Sequence, residues 1–323
     1  MTHRLRVAEI GPPSMRRLLK SAGYRALRAP AVRRIATAAA AIRGRRLVLV
    51  FHRIIEEGER FGGIVPTLSR EVFKRQLEHI LEVGDIVPLT SMLSETSVTG
   101  RPRFALTFDD DSTTHRDIVL PLLRELRVTA TFFVSGRSMH GLGPLWFEKL
   151  EAMVLARGIA EVASRIGITT RDAQVLAGLC ENDTRLQQKL EEEDIIVDGQ
   201  LDRDDIKALA DAGMGIGFHT LHHRILTGLS DGAVDAALRD GRDELEAVVE
   251  EPVVLFAYPH GKADERIADR VRNAGYHAAW TGRPHAIARG GDRYQLGRWE
   301  PPPVVGRDFV ARMAVRLNSW AQA

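Results

Sequence analysis

Several short apolar runs in this chain stop abruptly at polar clusters. Residues 47–51 (LVLVF) end at His52, 104–108 (FALTF) at Asp109-Asp110-Asp111, 214–218 at His219, and 253–257 at Tyr258-Pro259-His260-Gly261. Their shortness and their β-branched and aromatic content predict buried strands. Residues 86–89, 129–134 and 277–281 predict three more. Between the strands, apolar residues recur at helical spacing. Phe73, Leu77, Ile80 and Leu81 lie on one face of 70–83, with Ser69 as its cap. Residues 118–126, 202–212 and 264–274 predict further helices, the last two closed by Gly213 and Gly275, and 231–250 predicts one long helix. Strand–helix alternation of this kind predicts a parallel α/β sheet or barrel.

The rhythm breaks over about 137–200, where 146–156, 159–166 and 183–193 read as helices, so a helical insertion is expected inside an α/β domain spanning 47–305. Residues 306–323 predict a C-terminal amphipathic helix through Phe309, Val310, Met313, Leu317 and Trp320. Residues 1–46 form a basic arm with twelve Lys and Arg against one acid, Glu9, although the whole chain carries a net charge of only +2. Two readings of the arm stand side by side: a solvated helix, or a helix lying on an anionic membrane surface with Leu18, Leu19, Ala22, Leu27, Val32 and Ile35 inward. Nucleic acid is not an expected partner, because the arm has one aromatic residue, Tyr24, and no recognisable module. Arginines interrupt every apolar run before Ala36, and no run reaches about 18 apolar residues. The expectation is a cytoplasmic protein, with the arm as its means of touching the inner face of a membrane. Cys180 is the one cysteine, which excludes an intrachain disulfide or thiolate cluster.

In parallel α/β architectures the carboxyl ends of the strands share one face, so polar clusters distant in sequence converge there. Adjacent carboxylates at 109–111 repel one another, which calls for a cation nearby or else marks a helix cap. His219 and His223, four apart, suit one ion on one side of a turn, or solvent-exposed turn positions; His222 between them points elsewhere. One aspartate with two histidines leaves coordination positions open for water and substrate.

At these residues the sequence resembles the polysaccharide deacetylase family with its NodB-homology domain (carbohydrate esterase family four). Thr107-Phe108-Asp109-Asp110 matches the family's TFDD motif, and His219-Thr220-Leu221-His222-His223 its H-[ST]-x-x-H motif. Phe256-Ala257-Tyr258-Pro259-His260-Gly261 is similar to a degenerate F-R-x-P-[YF]-G, and Phe51-His52-Arg53 to a YHR opening. The resemblance implies a distorted (β/α)7 barrel, a carbohydrate substrate, a divalent metal on Asp110, His219 and His223, and Asp109 as general base. Mixed N/O ligation suits Zn2+, with Co2+, Ni2+ and Mn2+ as alternatives. The implied reaction is de-N-acetylation of an amino sugar in an oligo- or polysaccharide or its lipid-linked precursor. A deformylase, an O-deacylase and a non-catalytic carbohydrate-binding homologue are the alternatives.

The departures from the family pattern generate further expectations. Asp111 stands where the family has glycine, placing it for a sugar hydroxyl. Ala257 replaces the arginine that steadies the base, and Arg298 is either the source of that charge from another strand or a surface arginine. The family's L-x-H histidine is not evident; His52 is the preferred acid or else a hydrogen-bonded structural histidine, and His260 and His285 are further candidates for the acid. Tyr258, Pro259, His260 and Trp299 are expected against substrate, with Trp280 as a second aromatic wall.

Overall fold

A computed structural model of the chain describes residues 45–95, 100–197 and 199–319. The basic arm lies outside these residues except at its last two positions, and so does Trp320. The strands are β1 (Arg46–Phe51), β2 (Arg53–Ile55), β3 (Thr67–Ser69), β4 (Asp85–Ile86), β5 (Arg103–Asp109), β6 (Thr131–Val134), β7 (Gly215–Phe218), β8 (Leu255–Ala257) and β9 (Ala278–Trp280). The main sheet is parallel throughout, in the order β1-β5-β6-β7-β8-β9, with β4 on the edge of β5 that β6 uses further along. A further segment closes the circle. Leu296 N–H donates to Ala279 O (3.0 Å) and Thr281 N–H to Leu296 O (2.7 Å), while Trp299 N–H donates to Val48 O (2.8 Å) and Val50 N–H to Trp299 O (3.0 Å). Residues 296–299 thus join the last strand to the first, and the sheet becomes an irregular seven-stave α/β barrel.

Alternation along each strand sorts side chains between two cores. Val48, Ala105, Phe133, Leu255, Ala257, Ala278 and Trp280 fill the barrel interior. Their neighbours Leu47, Leu49, Phe104, Leu106, Phe132, Phe256 and Ala279 face outward under the helices. The same parity carries Thr107 and Asp109 inward on β5 and makes His219, the residue after outward-facing Phe218, inward-facing.

The helices are α1 (Arg70–Val83), α2 (Leu120–Leu126), α3 (Trp146–Arg157), α4 (Ile159–Arg165), α5 (Ala173–Glu181), α6 (Thr184–Glu192), α7 (Arg203–Asp211), α8 (Asp231–Ala237), α9 (Arg242–Val249), α10 (Glu265–Asn273) and α11 (Gly306–Leu317). α1 shows the local logic. Ser69 Oγ accepts from Val72 N–H, and Phe73, Leu77 and Ile80 are buried against the sheet; truncating one such residue to alanine costs about 2–5 kcal/mol. The single long helix expected over 231–250 is instead two, because the chain turns at Gly241 with φ +87°, a conformation open to glycine and unfavourable inside a helix.

Helices α3–α6 form the insertion, which has its own small core of Trp146, Leu150, Met153, Val162, Leu176 and Leu190, extended by Ile64 and Val65 from the loop after β2. A buried carboxylate ties loop to insertion. Glu151 accepts from Arg53 (2.5 Å), Gly62 N–H (2.6 Å), Ile64 N–H (2.7 Å) and Val65 N–H (3.3 Å). Neither α5 nor the β2–β3 pair is legible in the sequence. α5 carries Gly178 in its middle and buries only Leu176 and Cys180, and in β2 and β3 three residues are too few to show alternation. Among the described residues no helix is long and apolar enough to cross a membrane.

Candidate metal centre

β5 delivers Asp109 into the mouth of the barrel, and parity alone would send Asp110 outward. Asp110 instead adopts φ +70°, which reverses the alternation and turns both carboxylates toward the same cavity. Thr220 (φ +63°), His223 (φ +48°) and His260 (φ +57°) share this left-handed backbone. A β-branched residue there is a genuine outlier, and such strain concentrates at functional sites. The turn after β7 is held by Thr220 Oγ1 accepting from His223 N–H at 3.1 Å.

Asp110, His219 and His223 each present a ligand atom within 4.8 Å of the others. His219 Nδ1–H donates to Ala257 O at 2.8 Å, so its Nε2 carries a lone pair into the cavity. His223 Nε2 lies 3.1 Å from that atom and 3.5 Å from Asp110 Oδ1. Asp110 Oδ1 is buried with no hydrogen-bond donor among the described residues. Burial lowers His219 to about 4, against the pull of Asp109, and takes His223 well below its ordinary value. Burial, then Asp109, push Asp110 well above the usual carboxylate range. Two imidazoles and a carboxyl group thus bring ligand atoms together, and neither Asp110 Oδ1 nor His223 Nδ1 has a hydrogen-bond partner among the described residues. A cation among them relieves this, so the donor set fits a divalent metal.

Asp109 is held differently. Arg298 enters from the closing stave 296–299 and grips it with both prongs, Nη1 to Oδ1 at 2.6 Å and Nη2 to Oδ2 at 2.7 Å. Burial would raise Asp109, but the Arg298 guanidinium and then His219 override it and hold the carboxyl at about 2. Asp109 Oδ2 lies 3.8 Å from His219 Nε2. The charge missing at Ala257 therefore reaches Asp109 from another stave.

Five expected substrate contacts are corrected by the fold. Asp111 accepts from Ser135 N–H (2.7 Å), Ser135 Oγ (2.5 Å) and Gly136 N–H (3.1 Å) and is 3% exposed, so it braces the next loop instead of meeting a sugar. Tyr258 and Trp299 fall on the outward parity. Tyr258 is fully buried and donates to Tyr294 O at 2.7 Å, while Trp299 stacks on Phe309 at 5.8 Å. Trp280 is likewise buried, inside the barrel beside Phe133. Pro259 is buried in the turn and does not line the cavity, whereas His260 does.

His52 also lines the cavity of about 430 Å3. Its carbonyl accepts from His115 Nε2 at 2.6 Å, and its Nδ1 is 3.7 Å from Glu300 Oε1. Gly261 and Gly282 meet at the cavity wall, where a Cβ on Gly261 would lie 2.5 Å from Gly282 N. Trp146, Phe147, Gln174, Glu181 and Glu300 line the cavity too, unread in the sequence because no local motif marks them. Phe147 packs edge-on to His223 at 5.2 Å, and Glu181 pairs with His260 at 3.0 Å.

The sequence profile described as "Polysaccharide deacetylase" matches residues 96–279. This chain belongs to the polysaccharide deacetylase family. It is accordingly a hydrolase acting on amide bonds. Solved structures agree in fold. The Streptococcus pyogenes deacetylase PplD, in complex with acetate, superposes with a TM-score of 0.57 at 14% identity, covering 83% of this chain and 97% of that one. IcaB from Ammonifex degensii gives 0.55 at 18% identity over 85% and 97%. A de-N-acetylase from Aggregatibacter actinomycetemcomitans gives 0.55 at 13% over 81% and 97%. No curated protein sequence matches the chain.

Proposed function

We propose that this polysaccharide deacetylase is a metal-dependent de-N-acetylase of an N-acetylated amino sugar in an oligo- or polysaccharide or its lipid-linked precursor. The observation that carries the reading is the pairing of unlike carboxylates. Asp109 is kept ionised by Arg298, while Asp110 converges with the imidazoles of His219 and His223 within ligand distance of one ion. A divalent ion on Asp110, His219 and His223, with zinc the first choice for that donor set, would supply Lewis acidity toward the acyl carbonyl and the attacking water.

The chain's own groups account for the proton movements. Asp109 takes the proton of the water whose oxygen bonds to the carbonyl carbon. A backbone N–H near His260 faces the developing oxyanion. His52 gives its proton to the amide nitrogen as the C–N bond breaks, releasing acetate and a free amine. Arg298 holds Asp109 in place and keeps it ionised until it takes that proton. The arginine-rich segment 1–46, with its interleaved apolar residues, supports a membrane-surface role suited to a lipid-linked substrate; unchanged vesicle flotation after deletion of 1–44 would refute that role.

The test is elemental analysis of the purified chain combined with an acetate-release screen over N-acetylhexosamine compounds. One metal per chain and metal-dependent acetate release are expected. Formate, or acetate from O-acetyl esters alone, would assign the other acyl chemistries.

A further inference from the structure

The catalytic cavity is flanked by two acid–histidine pairs of unequal strength. On one side, Glu181 Oε1 at the end of α5 lies 3.0 Å from His260 Nδ1 and 2.8 Å from Lys262 Nζ. The Glu181 and His260 side chains are 26% and 11% exposed. The His260 ring lies against His223 with centroids 4.6 Å apart. Beyond this pair is a second cavity of about 450 Å3, and Trp146, Glu181, His223 and His260 line both spaces. Those four side chains are the partition.

On the other side, His52 Nδ1 and Glu300 Oε1 are 3.7 Å apart, too far for a hydrogen bond. The Glu300 side chain is 50% exposed. The space beyond, about 340 Å3, runs along Pro301, Pro302 and Pro303. Rotating one half-exposed carboxylate opens that side. Opening the first requires separating a hydrogen bond to a carboxylate that Lys262 also pairs with, backed by the packed ring of His223.

We propose that the Glu181–His260 bridge is a chain stop: the sugar unit that reacts is the last one on the insertion side, and the remaining chain leaves over Glu300 toward Pro301–Pro303. The ligand class is an oligosaccharide that ends in an N-acetylated amino sugar. The proposal rests on the de-N-acetylase reading. The insertion, through Glu181, is then a specificity element that the family motifs do not contain.

The test uses the metal-loaded full chain and β-linked N-acetylglucosamine oligomers from monomer to pentamer, with free amines located by tandem mass spectrometry. The wild type should deacetylate one terminal unit. Glu181→Ala should admit internal units, raising the internal-to-terminal ratio roughly tenfold. Glu181→Gln, which keeps the size of the side chain and removes its charge, should shift the ratio in the same direction by less. Internal deacetylation by the wild type, or a terminal pattern unchanged in folded Glu181→Ala and Glu181→Gln, overturns the stop.

A binding arm separates this result from failure of the chemistry. Acetate release from none of the oligomers would overturn the de-N-acetylase reading. The stop would still be read by quenching of tryptophan fluorescence with oligomers carrying a bulky group at one end or the other. The wild type should bind one of the two forms roughly tenfold more weakly, and Glu181→Ala should erase the difference. Equal binding of the two forms by the wild type overturns the stop.

Discussion

Arg298 and Asp109 meet as a two-pronged ion pair, 2.6 and 2.7 Å, although 189 positions separate them in the chain. The closing stave puts the guanidinium on the inward parity directly opposite the end of β5. A two-pronged pair fixes the carboxylate plane as well as its charge.

Replacing Arg298 by glutamine should therefore leave the effect of burial on Asp109 unopposed by the guanidinium. With Arg298 present, Asp109 sits at about 2 and is ionised at every working pH. Without it, burial favours the neutral acid, so the acid limb of kcat/KM moves to higher pH and the plateau falls by roughly 10²- to 10³-fold. Arg298→Lys, which keeps the charge but loses the fork, should lie between. A pH–rate profile with an unmoved acid limb would show that Asp109 does not depend on this pair.

Stripping the metal with a chelator should abolish acetate release and lower the melting temperature. A ligand at about one hundred times its Kd contributes about 2.7 kcal/mol to the folded state. His219→Ala and His223→Ala should each lose stoichiometric metal by elemental analysis. Full metal content in both variants would remove these histidines from the ligand set.

His52→Asn should depress turnover far more than metal content. Loss of metal with little change in single-turnover chemistry would instead make His52 a ligand.

Glu151→Ala should destabilise the chain by about 3 kcal/mol, since Arg53 and three backbone N–H groups lose a buried acceptor. Hydrogen exchange should accelerate in the loop after β2 and in the insertion before it does in β5 or β6. Glu151→Gln keeps one acceptor oxygen and should cost less. Unchanged denaturant midpoints for Glu151→Ala would show that the latch is not needed.

His115 predicts acid lability. Burial holds it neutral, with its pKa lowered to about 4. The unfolded chain, near the ordinary value of about 6.5, binds the proton more readily. The stabilisation is therefore fully present above pH ~6.5 and is lost as pH falls toward ~4, roughly 3 kcal/mol in total. Urea midpoints from pH 7 to 4.5 should show this slope, to which buried His219 and His223 also contribute, and His115→Gln should make it shallower. An identical slope in the variant assigns the lability elsewhere.

The resemblance carried by TFDD and H-[ST]-x-x-H made the family legible before any coordinates, and short-range chemistry made the site's nucleus legible. Two adjacent aspartates at a strand end and two histidines four apart declare themselves by spacing alone. Strand parity was legible too, but its consequence for Tyr258 and Trp299 was not. A residue's face has meaning only once it is known which face lies inside a closed barrel, and closure depends on Leu296–Ala279 and Trp299–Val48 pairings between segments remote in sequence.

By itself, then, the sequence determined the strand–helix alternation, the polar residues at the strand ends, and the Asp and His set that fits a metal. The first two depend on neighbours within a few residues, and the third was reached through the family resemblance, since Asp110 and His219 are remote in sequence. Tertiary structure alone decided that Arg298 reaches Asp109, that Asp111 turns to Ser135, and that Glu181 from the insertion meets His260 beside the cavity. Those relationships are contacts across the barrel mouth. They arise from how a sheet curls and closes, which no local periodicity encodes.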